Sequence, residues 1–144
     1  MRKTIFLILI SISALFAYKF FSNSSFSEIE VNGKKFQVEI ADTNEERMRG
    51  LSNRESLDKE SGMLFVFNGP GLHSFWMKDM SFALDFVWIR SGEVVEITRN
   101  VFPADYQPPN VLSSKEKVDM ILEINAGEAE RFGLEVGDGT KLEL

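Results

Sequence analysis

The chain has no cysteine, a single histidine (His73), four prolines and two tyrosines among its 144 residues. Without a thiol there is no disulfide framework, no thiolate nucleophile and no cysteine to carry a lipid anchor. One histidine cannot supply the two-imidazole spacing that zinc sites favour, so no metal ligands are assigned. Ser74 follows His73 directly, but neighbours along a strand point to opposite faces, which rules them out as a base–nucleophile pair. There is no G-x-S-x-G elbow and no glycine-rich phosphate loop. A serine hydrolase, a thiol enzyme and a nucleotide-binding enzyme are all disfavoured, no cofactor is expected, and His73 reads as a surface or loop-edge residue.

Charge is unevenly shared. The 22 acidic and 16 basic residues give a net charge of −6. Residues 1–21 hold Arg2, Lys3 and Lys19 and no acid, so the remainder carries −6 − 3 = −9. A domain this acidic repels phosphate backbones, so nucleic acid is not expected as a partner. The basic start followed by an apolar run from Ile5 to Tyr18 has the form of a secretory signal. Ala14 and Ala17 offer small residues to a peptidase. The run is shorter than the roughly 20 residues of a spanning helix, yet it continues past Lys19 to Phe21, and Lys19 can snorkel to the headgroups. Cleaved signal peptide and retained N-terminal membrane anchor both stay open. Either one makes the protein exported: periplasmic or otherwise extracytoplasmic, secreted or tethered through residues 1–21.

Residues 22–27 are a polar linker, and residues 28–144 form a single domain long enough to bury its own core. Ile29-Glu30-Val31, Asn32-Gly33 and Phe36 to Ile40 predict a hairpin about an Asn-Gly turn. Thr43 and Glu46 have capping-box spacing, and Gly50 is placed to stop the short helix that follows. Strands are expected at Gly62–Phe67, Ser74–Met77, Ala83–Ile89, Val94–Thr98 and Asp119–Asn125. A turn is expected at Asn68–Gly71, a loop from Arg99 to Val118, a second short helix at Ala126–Phe132 and a closing turn at Val136–Thr140. The expected class is β-rich α+β, a small curled sheet or partly closed barrel with two short helices.

Six blocks then fall in order: Thr43-x-x-Glu46-Arg47-x-x-Gly50-Leu51-x-x-Arg54, Gly62-Met63-Leu64-Phe65-x-Phe67, Phe75-Trp76-Met77-Lys78, Leu84-Asp85, Leu122-Glu123-x-x-Ala126-Gly127 and Gly137-Asp138. Their spacing resembles the domain of unknown function 192 family, small bacterial and archaeal proteins that often carry an export signal. The resemblance implies a compact, β-rich, partly closed barrel and no agreed activity. Ser52, Asp79-Met80 and Ala83 depart from the commoner pattern of that family.

Charge inside apolar strands marks the candidate site, because a buried charge must be neutralised or used. Period two puts Asp85 with Val87 and Ile89, and Glu123 with Ile121 and Asp119. The two carboxyls are candidate catalytic acid and base if they open to one pocket. Otherwise each accepts from Arg47, Arg54 or a helix N-terminus and pins the barrel. Arg47 sits mid-helix, where an internal partner such as Asp85 is expected, and it joins Thr43, Glu46 and Gly50 as structural. Arg54, Trp76, Lys78 and Asp79 are the ligand-binding candidates, since they lie at strand ends and in loops. Trp76 can equally be a core anchor and Lys78 simply solvated. A non-catalytic module that binds a small molecule or an envelope protein is the first functional expectation. An envelope structural or assembly protein and a small acid–base enzyme are the alternatives.

Overall fold

The computed structural model describes residues 27–143. The signal or anchor read into residues 1–21 lies outside them, as does all but the last residue of the linker. The described strands are β1 (Ser27–Val31), β2 (Lys34–Ala41), β3 (Ser61–Gly71), β4 (Ser74–Phe75), β5 (Leu84–Arg90), β6 (Glu93–Val101), β7 (Leu112–Ser113), β8 (Val118–Asn125) and β9 (Thr140–Glu143). The helices are α1 (Asn44–Arg49) and α2 (Glu128–Arg131). Seven strands make one sheet in the order β6–β5–β8–β3–β2–β1–β9, while β4 and β7 pair as a separate ribbon. Of the seven-stranded sheet's pairings, only β2 with β3 is parallel.

Local chemistry sets the turns. Asn32 and Gly33 both take left-handed backbone (φ 49° and 76°), which a two-residue hairpin that follows the strand twist requires. The sheet then curls until its two edge regions meet. Val94 N–H donates to Asp138 O (2.9 Å), Gly137 N–H to Val94 O (2.8 Å) and Thr140 N–H to Gly92 O (2.7 Å). These bonds join the start of β6 to the lead-in of β9 at one end, leaving a half-barrel.

Around β5 and its neighbours both faces of the sheet are covered, whereas β2 and β9 alternate with exposed residues. The interior is filled by Ile29, Phe36, Val38, Leu64, Val87, Leu122 and Ile124. The outer face carries Phe65, Phe86, Trp88 and Ile121, covered by Leu51 and Met77 from the segments that cross it. Phe75 of the ribbon meets Phe65, Phe86 and Trp88 edge-on, with ring centroids 5.0, 5.7 and 5.9 Å apart. Edge-to-face contacts of this kind fix a ring's orientation as well as burying it. Gly62 allows β3 to press against β8, since a Cβ there would stand 2.5 Å from the Glu123 carbonyl oxygen.

Several boundaries differ from the sequence expectation. β3 runs on through Asn68–Gly71 instead of turning there, with an irregular register against β8 between Val66 and Gly71. β4 stops at Phe75 because Met77 N–H bonds across to Tyr106 O in the long loop (2.8 Å). That loop contains β7, whose two residues are too few for periodicity to register. β9 stands where only a closing turn is expected; Thr-Lys-Leu-Glu is held by its pairing with β1, not by an apolar run.

Asp85 is fully buried, and of the partners expected for it the helix N-terminus is the one it has, joined by a β6 backbone N–H. Oδ1 accepts from Asn100 N–H (2.8 Å), and Oδ2 accepts from Gly127 N–H (2.9 Å) and Ala129 N–H (3.0 Å). Arg47 does not reach it. One carboxylate therefore ties β5 to the end of β6 and to the first turn of α2, and three backbone donors leave it no need of a cation. Asp85→Ala should strand those N–H groups and cost about 3 kcal/mol or more. A urea midpoint unchanged from that of the parent would show that the carboxylate does not hold these segments together.

Candidate functional site

α1 and the chain after it roof part of the outer face. Thr43 Oγ1 accepts from Glu46 N–H (3.2 Å), and the Glu46 carboxylate accepts from Thr43 N–H (3.1 Å). Gly50, at φ 49°, ends the helix and donates to Glu46 O (2.8 Å). Leu51 can then turn inward onto the sheet. Between this roof, β3, the His73–Met80 segment and β8 lies a cavity of about 370 Å³. Its apolar walls include Leu51, Phe65, Phe67, Phe75, Trp76 and Met77, and its polar lining includes Arg47, Arg49, His73 and Glu123.

Glu123 reaches the cavity from β8. It stands opposite Met63 on one side and Phe86 on the other, so its carboxyl lies among apolar side chains. No hydrogen bond to that carboxyl exists among the described residues. Burial alone lifts its pKa from the ordinary 4.5 to about 8, because removing water penalises the ionised form. The group is a neutral acid at pH 7 and can donate a proton in a hydrogen bond.

Arg47 supplies the cation. Nη1 donates to Asp42 O and to Val66 O (2.8 Å), and Nη2 donates to Asn44 Oδ1 (2.8 Å). Its guanidinium carbon lies 5.0 Å from the centre of the Phe67 ring. All three acceptors are uncharged, so no carboxylate neutralises it. The His73 ring stacks on Phe67 at 3.5 Å, and its Nε2 is buried without a partner. Burial holds the His73 pKa below 6.5, helped by the Arg47 charge and opposed by the hydrogen bond to the Val118 backbone. His73 lies at a loop edge as expected, in the link between β3 and β4, and is a half-buried member of the cavity wall. Ser74 also lines the cavity, and its hydroxyl pairs with that of Ser113 (2.8 Å).

The remaining candidates scatter. Trp76 stands at the cavity and is 44% exposed, so it is no core anchor. Arg54 is engaged elsewhere, in a two-pronged pair with Glu39 (2.6 and 2.7 Å) that holds the Glu39 carboxyl below its ordinary range. Lys78 and Asp79 are exposed, 4.0 Å apart, and outside the lining. Their backbone matters instead: Lys78 O accepts from Ser52 Oγ (3.0 Å) and Asp79 O from Asn53 N–H (2.8 Å). Asp85 and Glu123 fall on opposite faces, because β5–β8 pairing sets Phe86 across from Glu123 and Asp85 across from Ile124. They cannot work as an acid–base pair. Among the described residues no three His, Asp or Glu side chains gather as a metal set, and no helix is long and apolar enough to cross a membrane.

Glu123 leaves a signature in the pH dependence of stability. Between pH 4.5 and about 8 the folded chain keeps a proton that the unfolded chain has released. Stability from this group is therefore full below 4.5 and falls as pH rises, by up to about 1.4 kcal/mol per unit across the window. Glu123→Gln should remove that slope and be the more stable protein at pH 8. Urea midpoints measured at pH 5 and pH 8 check it; parallel changes in both proteins would mean that the carboxyl is not dry.

Two solved structures share this architecture. A protein from Sinorhizobium meliloti 1021, described as a proposed transcription regulator, is 29% identical, with a TM-score of 0.75 over 83% of this chain and 95% of its own. A protein of unknown function from Novosphingobium aromaticivorans DSM 12444 is 32% identical, with a TM-score of 0.73 over 79% of this chain and 83% of its own. No curated protein matches the chain. Residues 27–142 match the sequence profile of domain of unknown function 192, described as uncharacterized ACR, and the chain belongs to that family.

Proposed function

We propose that the domain is a non-catalytic binding module that takes a small molecule into the outer-face cavity. One observation carries this reading: an aromatic-walled hollow holds a cation without a counter-ion and a carboxyl without a partner. At Asp85, by contrast, the fold gives both oxygens of a buried carboxyl their donors. Leaving such groups unmatched costs stability, and a ligand that matches them recovers that cost. The volume of about 370 Å³ lies at the small end of ligand pockets, which run from about 300 to 1,000 Å³.

Catalysis by two carboxyls has lost Asp85 to its structural bonds. The regulatory role proposed for the Sinorhizobium protein does not lead to nucleic acid here, since the chain beyond residue 21 carries −9, from −6 − 3. The basic and apolar leader at residues 1–21 supports placing the domain outside the cytoplasm. The mass of the mature protein tests that placement, and an intact leader on a soluble cytoplasmic chain would refute it.

The two tryptophans give a built-in assay. Trp76 stands at the cavity, while Trp88 is buried with its indole N–H on Thr98 Oγ1 (3.0 Å). A screen of small aromatic and alkyl compounds by nitrogen-15 NMR should find binders that move the Trp76 indole signal and leave Trp88 still. Trp76→Ala should weaken those binders about ten-fold while the thermal midpoint stays near that of the parent. A cavity that moves neither signal with any compound is not a binding site.

A further inference from the structure

The cavity has a polarity that narrows what it can hold, if it is a binding site as proposed above. Arg47 has five N–H donors, of which three go to Asp42 O, Val66 O and Asn44 Oδ1. Nε–H and one Nη2–H have no protein acceptor among the described residues. Arg49 also lines the cavity, but the Glu39 and Glu46 carboxylates feel its charge. Arg47 keeps its charge unmatched.

Glu123 brings no opposing charge, being a neutral acid at pH 7, and His73 is neutral there as well. The cavity thus has positive character on a chain that is otherwise acidic. The two polar ends are also separated. Met63 faces Glu123 across the ladder, and Phe67 lies beneath Arg47. Four strand steps at about 3.3 Å each put those positions roughly 13 Å apart. Phe65 lies between them on the same face, with Phe75 edge-on to it.

We propose that the cavity binds an elongated, mostly apolar monocarboxylate, its carboxylate on the free donors of Arg47 and its apolar body along Phe65 and Phe75 toward Glu123. An ionised Glu123 would repel such an anion; a protonated one instead offers an O–H at the far end. A cationic ligand would meet Arg47 unmatched, and a fully apolar one would leave the guanidinium donors stranded.

Three matched probes separate this proposal from the binding reading beneath it: 6-phenylhexanoate, its primary amide and the corresponding amine. Each is titrated into the protein at pH 7 while the Trp76 and Trp88 indole signals are followed. The carboxylate should move Trp76 and bind about ten-fold or more tightly than either analogue, since a charge-assisted fork replaces a neutral contact. Arg47→Gln should abolish that preference by bringing carboxylate affinity down to that of the amide, with Trp88 reporting that the fold survives. Should that variant not fold, Arg47→Lys keeps the charge but loses the fork, and it should weaken carboxylate binding several-fold. An amide that binds as well, or an amine that binds better, overturns the monocarboxylate assignment and leaves a binding cavity. Failure of all three probes to move Trp76 overturns the monocarboxylate assignment, and the binding reading falls with it only if the wider compound screen also leaves Trp76 still.

Discussion

The register of β5 against β8 governs everything else in this molecule. Phe86 stands opposite Glu123 and Asp85 opposite Ile124, and a slip of one residue would exchange the two faces completely. Because both faces are buried here, a slip that turned β5 over would push Asp85 among the outer aromatics, and one that turned β8 over would push Glu123 into the barrel interior. Neither would find a partner there. The carboxyls thus act as keys for the alignment as much as the apolar residues do. Only one register gives Asp85 its three amide donors.

The same pairing separates two buried acids that look alike in the sequence. Asp85 sits where a β6 end and a helix start converge, so backbone N–H groups supply donors to both its oxygens. Glu123 sits between Met63 and Phe86, where no protein donor bonds to it among the described residues, and burial raises its pKa to about 8. Environment, not residue type, assigns one to architecture and the other to chemistry. Arg47 follows the same logic in reverse. It is held by carbonyl and amide oxygens, so it is positioned without being neutralised.

Much of the frame can be read from residue order. The Asn-Gly hairpin, the capping box and glycine stop of α1 and the two-faced strand at β5 follow from local rules, because each depends on residues a few positions apart, while the curled sheet follows from the number of short strands and the family resemblance. The period-two assignment of Asp85 and Glu123 to their strand faces also holds. The relation between those strands could not be read, since it depends on a ladder between segments some forty residues apart. The site suffered for the same reason. Trp76 and Glu123 can be found as an exposed aromatic and a carboxyl in an apolar run. Arg47 is visible as a residue but not as an unneutralised charge, because Asp85 offers a plausible partner until the backbone claims it. Lys78 and Asp79 mislead because strand-end residues often form sites, whereas here their main chain anchors the loop after α1. His73 gains its stacking partner Phe67 only when β3 and the segment after it fold back together.

The seam between the two sheet edges carries a kinetic implication. Residues 92–94 hydrogen bond to residues 137–140, and β9 pairs with β1 at the other extreme of the domain. Both contacts join residues 137–143 to segments more than forty residues earlier in the chain. Contacts this distant along the chain make folding slow compared with a helical bundle. Closure of the half-barrel therefore belongs to the long-range, slower part of folding, whereas the hairpins set by local turns need no such contact.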